Sequence, residues 1–455
     1  MLRASAVCEA AGIPSASLVA EGFINQAKAV RHGLGLPTLP WAVLPGHPAV
    51  QTQEELRANV LAVTLDGVIN NLTVDPPAAM AGAKEPGMRD VVARASFTEI
   101  QRLFIERGWS DGLPVVPPTR ERVEEFLRHT KRSPDEVLGV LLPDNRKATV
   151  WSVAVNGVMA GCKPEYMPIL VALIEAMADP RYGLEHSGNT PGGETLIILN
   201  GPMIKELGFN YTQGVMRDGF QPNTSVGRFW RLYLRNVPGF ILHGNDKATF
   251  GNTWRVAVAE NEDVCAALGW QPNSVDMGFA AGDNTVTIAR YTSGGMVSSM
   301  AGSTPETLLP FLADGIVRHT FWQITFTVGL GYGTLRPLVL MTPIIAQTIA
   351  KAGWSKADVR QFLFEHARMP AWQFERLLRD WTGKPIWNLA EEAANGNIPK
   401  ELFAASDDPN RMVPIVWSPD QFMMVITGDP LRTSNYVFGH NGHLGFPVAK
   451  KVEFS

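Results

Sequence analysis

Cysteine is scarce. Cys8, Cys162 and Cys265 are the only three in 455 residues, with no paired spacing and no CxxC. That scarcity excludes a disulfide framework and a cysteine-ligated zinc site, and it fits a reducing compartment. Long apolar runs are missing as well. No stretch reaches the length needed to span a bilayer, and the N-terminal MLRASAVCEAAGIP lacks the apolar core and small-residue cleavage site of a secretory signal, so no membrane partner and a cytoplasmic location are expected. Neither sign of charge dominates: 40 Lys plus Arg stand against 44 Asp plus Glu, a formal charge of −4 without a basic cluster, which argues against a nucleic-acid partner. Metal and nucleotide signatures are thin. His440 and His443 share a Gly-rich loop without a third ligand, and GLGYG fails the dinucleotide spacing, so no metal is assigned and the cofactor stays open.

What is present is a chain of 45% hydrophobic residues, with 42 Gly and 33 Pro spread as turns, enough for one large or two to three ordinary domains. Strand-like runs (TLIILN, NTVTIARY, PLVLMTP, FMMVITGD and the aromatic FWQITFTVGLGYG) alternate with helical ones at 304–316, 343–352, 355–368 and 370–381. This order predicts an α/β fold with a mixed sheet. Residues 74–95, rich in Pro, Ala and Gly, read as a linker between a partial N-terminal α/β unit (1–74) and a large domain (96–455).

The stretch at 149–178 organises the large domain. Val150, Val153, Val155 and Val158 predict a buried strand or packed segment, bent at Asn156-Gly157 and turned at Gly161. Pro164 then opens a helix carrying Ile169, Leu170, Leu173, Ile174 and Met177 at helical spacing. Cys162 would sit at that helix N-terminus beside Lys163, where a thiol ionises readily; the alternative is a small apolar filler at a tight turn. Thr224 or Ser225 is expected to cap a helix through Phe229, Leu232 and Tyr233. TVWSVAVNGVMAGC (149–162) and NTWRVAVAENEDVC (252–265) echo one another weakly, as an internal duplication would.

CEAAGIPSASLVAEGFINQAKAVRHGLGLPTLPWAVLPGHP resembles the UGSC-like family, named for a Sec/Cys-Gly-Ser-Cys motif, and more distantly a selenoprotein subunit of glycine reductase. In both, the redox motif precedes a helix, a Gly-Ile-Pro strand and a later x-His-Pro turn, here Gly46-His47-Pro48. The motif itself is absent. Met1 lies about where the following helix should begin, so the expectation is either a gene start placed too late or a lost redox pair, and Cys8 matches neither motif position. GWSDGLPVVPPT, NGVMAGCKPEYMP, LNGP and GWSKADVRQFLFEHA further resemble the longer domain commonly fused to such a segment. The resemblance implies that the two regions belong to one protein.

Ligands of α/β sheets bind beyond the carboxyl ends of strands, where loops meet helix N-termini. Those loops carry Cys162 as candidate nucleophile or redox thiol, His186 as proton carrier and Glu260 as its orienting carboxylate. Asn156, Lys163, Asn189 and Asn200 are the candidate ligand-binding residues. The expected function is that of a thiol-dependent oxidoreductase or lyase acting on a small molecule. The alternative is a non-catalytic ligand- or partner-binding subunit that has lost its redox motif. In either case a homo-oligomer or a redox partner protein is the expected assembly.

Overall fold

The computed structural model describes residues 2–75, 86–320, 333–380, 389–398 and 408–454. The N-terminal unit runs α1 (Leu2–Ala10), β1 (Ser17–Ala20), α2 (Ile24–Gly33), β2 (Trp41–Leu44), α3 (Gln53–Asn59) and α4 (Leu65–Thr73), with β1 and β2 paired in parallel. Thr52 and Glu55 form the capping box that opens α3. Leu2, Ala6, Val19, Ala27 and Leu39 make its small core. It rests on the large domain where Gly33 meets Pro143: a Cβ on Gly33 would come within 1.7 Å of the Pro143 carbonyl oxygen, so only glycine allows this approach. Asn145 donates to the Gly33 carbonyl, and Asn25 Nδ2 donates to the His243 carbonyl at 3.2 Å.

The large domain opens with α5 (Phe97–Glu106), α6 (Arg120–Leu127), the hairpin β3 (Val137–Leu141) and β4 (Arg146–Thr149), then α7 (Val150–Ala160) and α8 (Met167–Ala178). The buried strand or packed segment expected at 150–158 is the helix α7. A continuous β-branched run is compatible with either element when every face is buried, and here the capping box between Thr149 and Ser152 decides for the helix. Gly157 lies inside α7, not at a bend, and a Cβ there would come within 2.8 Å of both Leu170 and Phe126, so glycine serves close packing at this position. Gly161, at φ 77°, ends the helix.

The sheet is built from β5 (Glu194–Asn200), β6 (Ala257–Ala259), β7 (Thr285–Val297), β8 (Leu338–Met341), β11 (Met423–Ile426), β12 (Asn435–His440) and β13 (Val448–Lys451). Its order is β11-β8-β12-β7-β5-β6, with β13 also on β7. The β11–β8 and β5–β6 pairs are parallel and the rest antiparallel, which bears out the mixed α/β sheet. Between β5 and β6 lie α9 (Met203–Glu206) and α10 (Gln221–Asn236); α11 (Glu262–Leu268) and α12 (Asn273–Asp276) follow β6. The helix α10 begins at Gln221 with Pro222 in its first turn, so Thr224 and Ser225 lie inside it. The echo of 149–162 in 252–265 is not a structural repeat: the first is helical, whereas the second is a short strand followed by α11.

Residues alternate between faces along each strand. Ile197 and Leu199 of β5 join the core formed with α7, α8 and α10, while Leu196 and Ile198 face the opposite side of the sheet. Farther across, Val339 and Met341 of β8 join a second core with α13 (Pro305–His319), α14 (Pro343–Lys351), α15 (Lys356–His366) and α16 (Ala371–Asp380). The short pair β9 (Arg368–Pro370) and β10 (Met412–Pro414) and the helix α17 (Leu389–Ala394) complete this side. The run expected as a core strand at 321–333 lies, but for Gly333, outside the described residues. Of the expected linker, residues 86–95 have no regular secondary structure.

The sheet curls into a half-barrel whose two edge strands meet at one end. Asn261 donates its backbone N–H to the Ile426 carbonyl at 2.7 Å, and Thr427 Oγ1 donates to the Ala259 carbonyl at 2.8 Å.

Candidate functional site

A cleft of about 1020 Å³ opens beside α7. Helical spacing places Trp151, Val155 and Met159 on one face of α7, with Ser152 and Asn156 next to them, and all five line the cleft. Phe104, Trp109, Pro117 and Pro118 form the facing wall, and residues 87–95 pass along its mouth. The WSDGLPVVPPT loop is held firmly. Gln101 of α5 exchanges two 2.9 Å hydrogen bonds with the backbone of Val115, and the Val116 N–H donates to the Met159 carbonyl at 3.3 Å. Asp111 accepts two hydrogen bonds from the Arg228 guanidinium at 3.0 and 2.9 Å, and this pairing holds its carboxyl below the ordinary range despite burial.

The mouth is basic. Arg89, Arg94, Arg120, Arg122, Arg146 and Lys147 line the cleft, against Asp90 as the one carboxylate. Arg89 pairs with Asp135 and covers the Trp151 ring at 4.9 Å. Arg94, Arg120 and Lys147 are exposed and have no ion-pair partner among the described residues. At the inner end, Asn156 Nδ2 donates to the Ser152 carbonyl at 3.0 Å and its Oδ1 accepts from Asn236 Nδ2 at 2.8 Å. The Asn236 Oδ1 is left without a partner.

The seven residues singled out from the sequence fall into separate neighbourhoods. Asn156 belongs to the cleft. Cys162 lies past the end of α7, where Ser225 and Arg228 of α10 act on its sulfur. Burial pushes this thiol up to about 12, outweighing both neighbours, in the opposite direction to the effect expected of Lys163. Lys163 points into solvent without a side-chain partner among the described residues.

Glu260 and Asn200 meet at the half-barrel seam. One Glu260 oxygen accepts from Asn200 Nδ2 and from the Asn273 N–H, each at 2.7 Å; the other accepts from the Ile426 N–H at 3.1 Å and the Cys265 thiol at 3.7 Å. Burial pushes the Glu260 carboxyl up, while Lys356 and these donors pull it back. The carboxylate thus holds Cys265 and two edge strands, and none of its hydrogen bonds goes to His186. That imidazole lies in a short helical turn at Leu184–His186, its pKa lowered by burial and by Arg290, Arg3 and His443 against the pull of Glu185. Asn189, three residues on, accepts the Gly193 N–H at 3.0 Å and closes its own turn.

Sequence reasoning missed Trp109, Trp151 and Asn236 as cleft residues. The signal for Trp151 was present in the Thr149/Ser152 box, since a helix from 150 places it on one face with Val155; nothing local marks Trp109, which stands in the loop after α5, or Asn236, which arrives from α10. Among the described residues no group of three or more His, Cys, Asp and Glu side chains could hold a metal ion, and no helix is long and apolar enough to cross a membrane. No curated protein and no solved structure matches the chain. Its first 74 residues match the model of the UGSC family, and the N-terminal unit is therefore UGSC-like.

Proposed function

We propose that the large domain binds an amphipathic small-molecule anion in the α7 cleft, its apolar body between Trp151, Trp109 and Phe104 and its acidic group at the basic mouth. The observation that carries this is the combination of an apolar cleft of about 1020 Å³ with a rim in which Arg94, Arg120 and Lys147 lack ion pairs among the described residues. Ligand sites are mostly apolar concavities with a few convergent polar groups, and unpaired cations on a rim attract and orient an anion. The ordered WSDGLPVVPPT loop supports a preformed site. This favours the ligand-binding reading over thiol chemistry at Cys162, whose sulfur is buried, does not line the cleft and is pushed up by desolvation. The three unpaired cysteines fit a reducing compartment.

The test is titration of the full chain with 8-anilinonaphthalene-1-sulfonate, followed by displacement with decanoate. Saturable dye binding is expected, and R120E/K147E, both on the exposed rim, should weaken it by about tenfold or more at low salt. Dye binding unchanged in that variant would remove the cleft as the anion site.

A further inference from the structure

A second, smaller cavity of about 250 Å³ opens at the end of the half-barrel, beyond the carboxyl ends of the parallel strands β8 and β11. Thr342 follows β8 and Thr427 follows β11, and both line it. This is where α/β sheets present loops and helix starts to ligands. The helix α14 begins here with Thr342 as its N-cap; the Thr342 hydroxyl donates to the Arg432 carbonyl at 2.7 Å and accepts no capping hydrogen bond from the first turn. The opening of α14 is therefore electropositive. Arg432, exposed on the same rim, has no ion pair among the described residues.

Two further groups give the cavity a second polarity. Asn435 lines it, is only 2% exposed, and has its Oδ1 unpartnered while its Nδ2 donates to the Met300 sulfur at 3.2 Å. A buried amide oxygen without a donor calls for one. Asp429 adds a carboxylate at the rim, one oxygen of which accepts the Leu431 N–H at 2.9 Å and shapes the loop. Val215, Met216, Met296, Leu340 and the Tyr436 ring give the wall an apolar part, beside Ser434. The volume lies below the range of roughly 300–1,000 Å³ typical of drug-sized ligands.

We infer that this cavity binds a small carboxylic acid that carries a hydrogen-bond donor on the adjacent carbon and a short apolar side chain. The carboxylate meets Arg432 and the start of α14, the donor meets Asn435, and the side chain lies on Met216, Met296 and Tyr436. The donor is either an ammonium or a hydroxyl; Asp429 favours the ammonium. This site is independent of the α7 cleft and requires no occupant there.

Calorimetric titration of the full chain with L-leucine, its 2-hydroxy analogue and 4-methylpentanoate tests it. One of the first two should bind, and 4-methylpentanoate, which lacks the donor, should bind about tenfold more weakly or worse. R432A, a change at an exposed side chain, should weaken the binding acid by a similar factor while leaving anilinonaphthalene sulfonate binding in the cleft intact. Absence of binding by all three probes, equal affinity for all three, or an affinity untouched by R432A would each overturn the assignment.

Discussion

Glu260 accepts the backbone N–H of Ile426 at 3.1 Å, so a side chain at the end of one edge strand satisfies the backbone of the other. Strands β6 and β11 pair inward with β5 and β8 and form no ladder with each other, and an unpaired edge leaves donors that must find acceptors. The carboxylate supplies them. It is buried, 1% exposed, because the seam closes over it.

The seam account predicts the effect of E260Q. The substitution keeps the shape but turns an NH2 toward one of two sets of donors, either Ile426 with Cys265 or Asn200 with Asn273. A loss of about 1–3 kcal/mol in unfolding free energy is expected from the unmade bonds. Urea denaturation checks it, and a variant as stable as the parent would show that the seam does not depend on the charge.

Thiol labelling follows from burial. Cys162 is pushed up to about 12 and Cys265 is also pushed up by desolvation, whereas Cys8 is only partly covered, on α1. Titration of the native chain with Ellman's reagent near neutral pH should modify Cys8 first, with Cys162 and Cys265 reacting only after denaturation, because the thiolate is the reactive form. Labelling of Cys162 as fast as Cys8 in the native protein would revive the thiol-enzyme reading.

A carboxylate between α8 and β13 sets an acid dependence. Asp179 accepts from Arg181 at 3.1 Å and from Lys450 at 3.0 Å, and these cations hold its carboxyl well below the ordinary 3.8. A carboxyl depressed in the folded state binds its proton more readily when unfolded, so its stabilisation is present above pH 3.8 and lost as the pH falls toward the folded value. D179N should therefore be less stable than the parent at neutral pH, and the gap should close as the pH is lowered toward about 2. Urea denaturation at several pH values reads it; a gap of constant size would exclude the ion pairs as its cause.

Substitution at Gly157 tests the packing of α7 on its neighbours. A Cβ there would come within 2.8 Å of Leu170 and Phe126, both buried. G157A should destabilise the large domain by about 1–3 kcal/mol through overpacking, although alanine is the better helix former. Increased thermal stability in G157A would mean that α8 and α6 move aside freely.

Local chemistry by itself determined a good part of this protein. The capping residues Thr52 and Ser96, the strands around TLIILN, PLVLMTP and FMMVITGD, and the mixed α/β character all follow from short-range patterns that the structure keeps. Helix against strand at 150–160 was ambiguous, because burial on all sides erases the periodicity that distinguishes them. Only the tertiary structure decided where the polar groups went. Cys162, His186, Glu260 and Asn200 all stand in loops or at strand ends, as a ligand site requires, yet each is claimed by different neighbours: Ser225 and Arg228, Glu185 and Arg290, Ile426 and Asn273, and Glu260 itself. Apart from Glu185, which directly precedes His186, those neighbours come from other segments of the chain, and no local pattern encodes which loop meets which. The cleft arises in the same way, from α7, the 109–118 loop and the end of α10, joined by the packing of one helix layer onto one face of a curled sheet.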